Sequence, residues 1–273
     1  MQTIAYLGPE HTNTHLAALT RFGRRASYLH APTVEDVFHL VERRRADYGV
    51  VPIENSLEGA VTHTLDRFID FVDTPVTIHG EIEQPIHHHL ILARGVGLRA
   101  VRLVFSHPQA LAQCHRWLTQ HLPQVKLRET DSTAAAVWVV REHRKDHAAI
   151  GRAELAKEHG LRAIPIPDHR ENKTRVLVIG LGRVAKGRRN KTSILLSLKD
   201  RPGALYDALV PFKRYGINLT KIESRPSKRK AWEYLFFVDL EGHVTDPNVT
   251  QALVALRKQA TLLRVLGSYS VGR

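Results

Sequence analysis

Along the first 180 residues, short apolar runs of strand length alternate with segments whose apolar positions recur at helical spacing. Residues 3–7 (Thr-Ile-Ala-Tyr-Leu) predict a buried strand stopped by Gly8-Pro9, and Leu16, Leu19 and Phe22 predict the helix behind it. Thr33-Val-Glu-Asp36 has the form of a capping box, opening a helix with Val37, Leu40 and Val41 on one face that ends near Arg45. The strand Tyr48–Val51 breaks at Pro52 and is followed by a helix carrying Val61, Leu65, Phe68 and Ile69. Val76–Ile78 predicts a strand, Gly80–Pro85 a loop, and Ile86–Ala93 a further strand, with Pro75 and Pro85 bracketing a crossover between two lobes.

The same alternation continues. Val101–Phe105 predicts a strand, and Leu111, Cys114, His115 and Leu118 sit at core spacing on the next helix. A weak strand Lys126–Glu129, a helix Ala134–Glu142, a small-residue strand Ala148–Gly151 and a helix from Arg152 to His159 follow. Gly160 closes that helix, and strands Ala163–Pro165 and Val176–Ile179 end the series. Repeated βα units of this kind predict an α/β domain over 1–182, built as two lobes with a cleft. Lobe one takes about 1–78 plus 163–182, and lobe two about 79–162.

Residues 183–191 are basic and read as a linker. Beyond them the order changes to strand 192–198, a helix from Gly203 to about Tyr215, strand Ile217–Glu223 and a basic turn Pro226–Lys230. Strand Trp232–Leu240, helix Asn248–Gln259 and strand Leu262–Ser268 complete it. This is βαββαβ, the ferredoxin-like order, so 192–273 reads as a separate module.

Composition narrows the function classes. With 43% hydrophobic and 25% charged residues the chain is that of a folded protein, and no apolar run reaches the roughly 20 residues that span a bilayer. Neither a signal peptide nor a membrane segment is indicated, so the expected location is cytoplasmic. One cysteine, Cys114, excludes an intrachain disulfide and a cysteine-rich metal site. The net charge of +13 raises a nucleic-acid partner, but the clusters (Arg24-Arg25, Arg43–Arg45, Lys186–Lys191, Lys228–Lys230) are short, scattered and free of interleaved aromatics. No nucleic-acid partner is expected; the charge suits an anionic metabolite. His87-His88-His89 lacks ligand spacing, so no metal site is expected, and without GxGxxG or Walker loops no nucleotide cofactor is expected either.

Polar groups collect where strands end, which is where open α/β sheets hold ligands. Thr12 or Thr14 heads the first helix as cap or anion contact, Asn55 and Ser56 follow the strand broken at Pro52, and Ser106 with Gln109 follows Phe105. Thr133 heads a helix beside Ser132. The loop Asp168–Arg175 brings Asn172, Thr174 and Arg175 to the mouth of the strand Val176–Ile179. A guanidinium offers a bidentate fork to a carboxylate and a hydroxyl can be aimed at a departing oxygen, so Thr174 and Arg175 read as a grip for an acidic small molecule.

The ordered motifs Gly8-Pro-Glu10 with Thr12, Val51–Gly59, Ser106–Gln109 through Gln113-Cys114, Asp131–Thr133, Ala149-Ile150 and Asn172–Arg175 resemble bacterial prephenate dehydratases. Gly203-Ala204-Leu205 and Glu223-Ser224-Arg225-Pro226 resemble the effector motifs of the C-terminal ACT regulatory domain of that family. The resemblance covers nearly the whole chain. It implies a two-lobed, periplasmic-binding-protein-like catalytic domain followed by a ferredoxin-like ACT domain. It further implies decarboxylating dehydration of prephenate to phenylpyruvate in phenylalanine biosynthesis, without cofactor or metal, and feedback inhibition by L-phenylalanine. Carried over by position, Thr174 attends the leaving hydroxyl and Arg175 holds a carboxylate. Thr12, Asn55, Ser56, Ser106, Gln109, Gln113 and Thr133 orient the substrate. Gly203, Ala204, Leu205, Asn218, Leu219, Glu223, Ser224, Arg225 and Pro226 take the effector, and a homodimer or homotetramer is implied.

Four positions depart from the family pattern: His11 and Asn13 stand in the first motif, Val176 replaces the aromatic after Thr174-Arg175, and Arg152 replaces a small polar residue after Gly151. They keep three alternatives open: preference for arogenate, a prephenate decarboxylase-like activity, or a catalytically decayed amino-acid sensor.

Overall fold

A computed structural model describes residues 1–70, 73–143, 145–169, 171–227 and 233–271. In chain order, the first segment is β1 (Thr3–Leu7), α1 (Asn13–Phe22), β2 (Ser27–Ala31), α2 (Val34–Glu42), β3 (Tyr48–Asn55), β4 (Gly59–Ala60), α3 (Thr62–Asp70) and β5 (Val76–Pro85). The middle segment is β6 (His89–Leu92), β7 (Leu103–Ser106), α4 (Pro108–Gln113), α5 (His115–His121), β8 (Lys126–Glu129), α6 (Thr133–Glu142), β9 (His147–Gly151), α7 (Ala153–Glu158) and β10 (Arg162–Pro165). The last is β11 (Lys173–Leu181), β12 (Asn190–Leu198), α8 (Ala204–Arg214), β13 (Leu219–Pro226), β14 (Tyr234–Glu241), α9 (Pro247–Arg257) and β15 (Ala260–Ser270).

The chain divides into two compact units, one of residues 1–8, 17–83 and 175–273, the other of 9–16 and 84–174. The fold class is the expected α/β, but the lobe boundaries move. Strand β10 hydrogen-bonds antiparallel to β6, so residues 163–174 stay with the second unit, and the chain returns to the first at Arg175 rather than near 163. Residues Gly80–Pro85, expected as a loop, continue β5. Their glutamates suggest a solvated segment, yet Glu81 is shielded and satisfied by buried cations, so a polar sequence lies within a sheet. Strand β2 escaped prediction because its Ser-Tyr-Leu-His-Ala is half exposed and carries no clean alternation.

In the first unit, the sheet order is β2-β1-β3-β11-β5 with β4 paired to β3. Both β1 pairings are parallel. The capping box holds as expected: Thr33 Oγ1 accepts from Asp36 N at 3.1 Å and starts α2, which buries Val37, Phe38 and Val41. Strand β11 is buried on both faces. Val176 packs with Ile4, Tyr6, Ala17 and Val50, while Leu177 and Ile179 enter a separate core with Phe38, Phe68 and Ile78. Full burial of such side chains is worth about 1.5–3 kcal/mol each.

The C-terminal module lies in the same unit, its sheet ordered β13-β14-β12-β15, the ferredoxin-like arrangement. One face of that sheet packs Ile194, Leu196 and Val238 on Phe212 of α8 and Leu253 and Leu256 of α9. The other face inserts Leu195, Leu235, Phe237, Leu266 and Tyr269 into the core that holds Leu177 and Ile179. At Gly267 the contact is so close that an added Cβ would lie 2.7 Å from Ile78 Cβ and 2.8 Å from Ile78 N. Trp232 and the basic turn at Lys228–Lys230 lie outside the described residues.

The second unit carries a sheet ordered β10-β6-β9-β7-β8, in which β7 pairs parallel with β8 and β9 and β9 antiparallel with β6. Cys114 divides the single helix expected after Ser106 into α4 and α5 and is buried, as its spacing predicted.

Candidate active site

The second unit holds Thr12, Ser106, Gln109, Gln113, Thr133 and Thr174; Asn55, Ser56 and Arg175 belong to the first. In the second unit, strands β7 and β9 run side by side and end at Ser106 and Gly151. The Ser106 hydroxyl, fully buried, donates to the Ile150 carbonyl at 2.8 Å, which locks the two strand ends together. Helix α6 begins beside them. Ser132 Oγ accepts from Ala135 N at 3.0 Å and so performs the N-cap, leaving the neighbouring half-buried Thr133 hydroxyl without a capping duty. An added Cβ on Gly151 would touch the Thr133 carbonyl at 3.6 Å, which fixes these positions as neighbours.

A buried amide network centres on Asn172, two residues before Thr174. Gln113 Oε1 accepts from Asn172 Nδ2 at 3.0 Å and from His88 Nε2 at 2.8 Å. A carbonyl oxygen can only accept, so His88 carries its proton on Nε2. Ile86 N donates to the Asn172 carbonyl at 2.9 Å, and the Asn172 side chain is 1% exposed. Burial pushes the His88 imidazole below its ordinary value, partly countered by Gln113. Of the sequence-derived candidates here, Gln113 is engaged in this network and Gln109 is exposed at the first turn of α4. Thr12 takes the capping alternative left open for it: its Oγ1 donates to the Pro9 carbonyl at 3.0 Å and accepts from His15 N at 3.4 Å.

The departures from the family pattern have physical places. Arg152 Nη1 donates to Asn13 Oδ1 at 2.7 Å, so two of them form one contact. His11, at a φ of 66°, donates its backbone N–H to His15 Nδ1 and sets its ring 3.4 Å from Glu158 Oε2. Val176 is a core residue at 0% exposure, packed with Ile4, Tyr6, Ala17 and Val50.

Arg175 differs from its expected part. Adjacent strand residues point to opposite faces, so Thr174 shares the side of Val176 whereas Arg175 shares that of Leu177 and Ile179. There its guanidinium is taken up by the protein's own acids: Asp239 at 2.6 Å, Glu54 at 2.9 Å and Glu81 at 3.1 Å. Burial would lower its pKa; the carboxylates, Asp239 foremost, overcome that and hold it charged. Lys191 reaches Glu81 at 2.6 Å and Lys221 reaches Glu54 at 3.0 Å. Asp239 also accepts from Ser193 at 2.6 Å, and Tyr269 lies 3.0 Å from Ser193. Arg175 is thus a tie between β11 and the C-terminal module, not a fork left open for a ligand carboxylate. Asn55 is buried, and its Oδ1 accepts from Leu57 N and Glu58 N in a turn, while Ser56 is exposed.

In the C-terminal module, Gly203 precedes α8 at a φ of 79°, a conformation open to glycine. Beside it lies a cavity of about 630 Å³ lined by Ala204, Leu205, Arg201, Tyr234, Phe236 and Thr261. Asn218, Leu219, Glu223, Ser224 and Pro226 are not part of it; they follow edge strand β13, where Arg225 pairs with Asp66 of α3 at 2.9 Å. A single chain therefore gathers the first effector motif around the cavity and leaves the second along an edge. The sequence pattern does not single out Asp239, Glu81, Lys191 or Lys221, whose partners are distant in sequence, and it raises His88 only within the triplet His87–His89; the Asn-Lys-Thr-Arg run hints at Asn172.

Family models match residues 4–183 as prephenate dehydratase and 192–258 as ACT domain. A bifunctional chorismate mutase/prephenate dehydratase of Aquifex aeolicus is 48% identical over 267 residues, which cover 97% of this chain and 73% of that protein. A prephenate dehydratase of Amycolatopsis methanolica is 37% identical over 276 residues, 99% of this chain and 89% of that one. Among solved structures, a prephenate dehydratase of Arthrobacter aurescens in complex with L-Phe superposes with a TM-score of 0.88 at 33% identity, covering 98% of this chain and 90% of that one. A protein described as GqqA, a novel type of quorum quenching acylase, superposes at 0.84 with 27% identity, covering 99% of this chain and 98% of that one.

Proposed function

The chain belongs to the prephenate dehydratase family and carries an ACT domain after its catalytic domain, and we propose that it converts prephenate to phenylpyruvate, water and carbon dioxide. Loss of the ring hydroxyl and the ring carboxylate makes the ring aromatic, which supplies driving force without metal or cofactor. The protein has to hold a dianion, align it and stabilise the departing oxygen. The observation that carries this reading is the mount of Thr174. Asn172 is fixed through its carbonyl by Ile86 and through its amide by Gln113, and Thr174 follows two residues later as the second residue of β11. That network fixes the backbone from which the Thr174 side chain projects, and a hydroxyl on a fixed backbone suits donation to a departing oxygen. Threonine is a weak acid, so its part is charge stabilisation more than full proton transfer. Thr133, relieved of capping by Ser132, and the exposed Gln109 suit substrate oxygens in the second unit.

The ACT domain supports feedback inhibition by phenylalanine, taken at the cavity beside Gly203, Ala204 and Leu205. Among the described residues the outer edge of β13 pairs with no strand, which suits pairing with a second copy that would add Asn218–Pro226 to an effector site. We accordingly read the protein as a cytoplasmic homo-oligomer; no helix among the described residues is long and apolar enough to cross a membrane. The acylase reading has less support. Burial, with the nearby Asp168 charge, pushes the Cys114 thiol up to about 12, and the buried Ser106 hydroxyl is engaged with Ile150. The test is to supply prephenate and arogenate separately, with and without phenylalanine. Phenylpyruvate formed from prephenate and suppressed by phenylalanine supports the reading. A folded protein that leaves prephenate intact removes it.

A further inference from the structure

A site for a dicarboxylate needs a cation whose charge is not already compensated, and Arg175 is held by three carboxylates of the protein itself. We propose that Arg152, braced by Asn13, is the residue in this chain that binds a substrate carboxylate. The inference rests on the dehydratase reading above and extends it to one residue.

Arg152 directly follows β9, so it emerges at the strand end where Ser106 is bonded to Ile150 and where Gly151 lies against Thr133. Its side chain is 16% exposed, which withdraws the guanidinium from bulk water and strengthens whatever ion pair it makes. Asn13 Oδ1 takes a single hydrogen from Nη1 at 2.7 Å. That acceptor is neutral: it aims the fork and leaves the charge uncompensated. Glu154 approaches Nε at 3.5 Å from an exposed position, a long contact of small worth. Nη2 makes no hydrogen bond to the described residues. The imidazoles of His88 and His89 stand close enough to feel the Arg152 charge, and burial lowers both, so they add no competing cation. A planar, charged donor aimed by a neutral amide, at the strand end that neighbours Thr133, is an arrangement for a carboxylate.

The experiment measures prephenate turnover and, by calorimetry, prephenate binding for wild type, Arg152→Gln, Arg152→Lys, Asn13→Ala and Glu154→Gln. Arg152→Gln should raise KM and Kd about 30-fold with kcat within about threefold, because charge-assisted hydrogen bonds to the bound acid are lost in ground and transition states alike. Arg152→Lys keeps the charge without the fork and should fall between, which keeps the test valid should the glutamine variant fold poorly. Asn13→Ala should raise KM about fivefold. Glu154→Gln removes a competing acid and should lower KM, a direction that a merely structural role would not produce. Arg152→Gln with KM and Kd within twofold of wild type would overturn the proposal. If wild type binds prephenate without turning it over, and Arg152→Gln loses the binding, the carboxylate site stands and the dehydratase reading falls.

Discussion

Arg175 Nη1 lies 2.6 Å from Asp239 Oδ2, tying the strand that begins beside Thr174 to the centre of the ACT sheet. The guanidinium is mostly buried, and Asp239 is 7% exposed. The candidate hydroxyl belongs to the residue immediately before this ion pair. Effector occupancy that shifts the ACT sheet would therefore act on the backbone of Thr174 through Arg175, and the coupling must be reciprocal for substrate and effector.

Removing the cation leaves the buried Asp239 without its ion pair, while Glu81 and Glu54 keep Lys191 and Lys221. Arg175→Met is expected to cost about 3–5 kcal/mol in denaturant-induced unfolding, the scale of a broken buried pair. Asp239→Leu combined with it should recover part of that loss. A double variant showing the plain sum of the two single effects would mean that the residues are not coupled.

Gly267→Ala places a methyl against the backbone of Ile78, which cannot rotate away. The expected loss is about 3 kcal/mol, or a drop of about 6–12 °C in Tm for a chain of this size. A melting temperature within 2 °C of wild type, about the least that one kcal/mol would move it, would show that the ACT sheet does not seat there.

Acid should destabilise the protein through its buried imidazoles. The pKa values of His88, His15, His79 and His89 are all lowered by burial, so below the ordinary histidine value of about 6.5 the unfolded chain takes up protons that the folded one does not. Their stabilisation is full above about pH 6.5 and is lost as pH falls through the lower folded values. Unfolding curves at pH 7.5, 6.5 and 5.5 should shift to lower denaturant in that order, less steeply in His88→Asn. Stability that rises towards pH 5.5 would contradict this.

Ala204→Arg fills the cavity next to α8. Initial rates without effector should be unchanged, and the phenylalanine concentration for half-inhibition should rise at least tenfold. Unaltered inhibition would move the effector elsewhere.

Periodicity made the α/β series and the ferredoxin-like module readable, because Leu, Val and Ile on β11, α2 and α9 are buried as their spacing demands. Hydroxyls at helix starts were readable too, and Thr33 and Ser132 cap as written. Arg175 was not. Its neighbours in sequence suggest a ligand grip, whereas its partners Glu54, Glu81 and Asp239 lie between 64 and 121 positions away. Glu81 misled in the same way, a buried acid that reads as loop until Lys191 and Arg175 are seen beside it. The contact of Arg152 with Asn13 spans 139 positions, so two departures that looked separate form one feature only in the fold.

The central claim is that Thr174, mounted on Asn172, attends the leaving hydroxyl. Its most direct test is prephenate turnover by Thr174→Ala beside Thr174→Ser, with Kd for prephenate measured in parallel. The alanine variant should bind prephenate within about threefold of wild type and lose about 10²–10³ in kcat, the scale of one lost oxyanion donor, while serine restores most of the rate. Alanine turning prephenate over within threefold of wild type would remove Thr174 from the reaction.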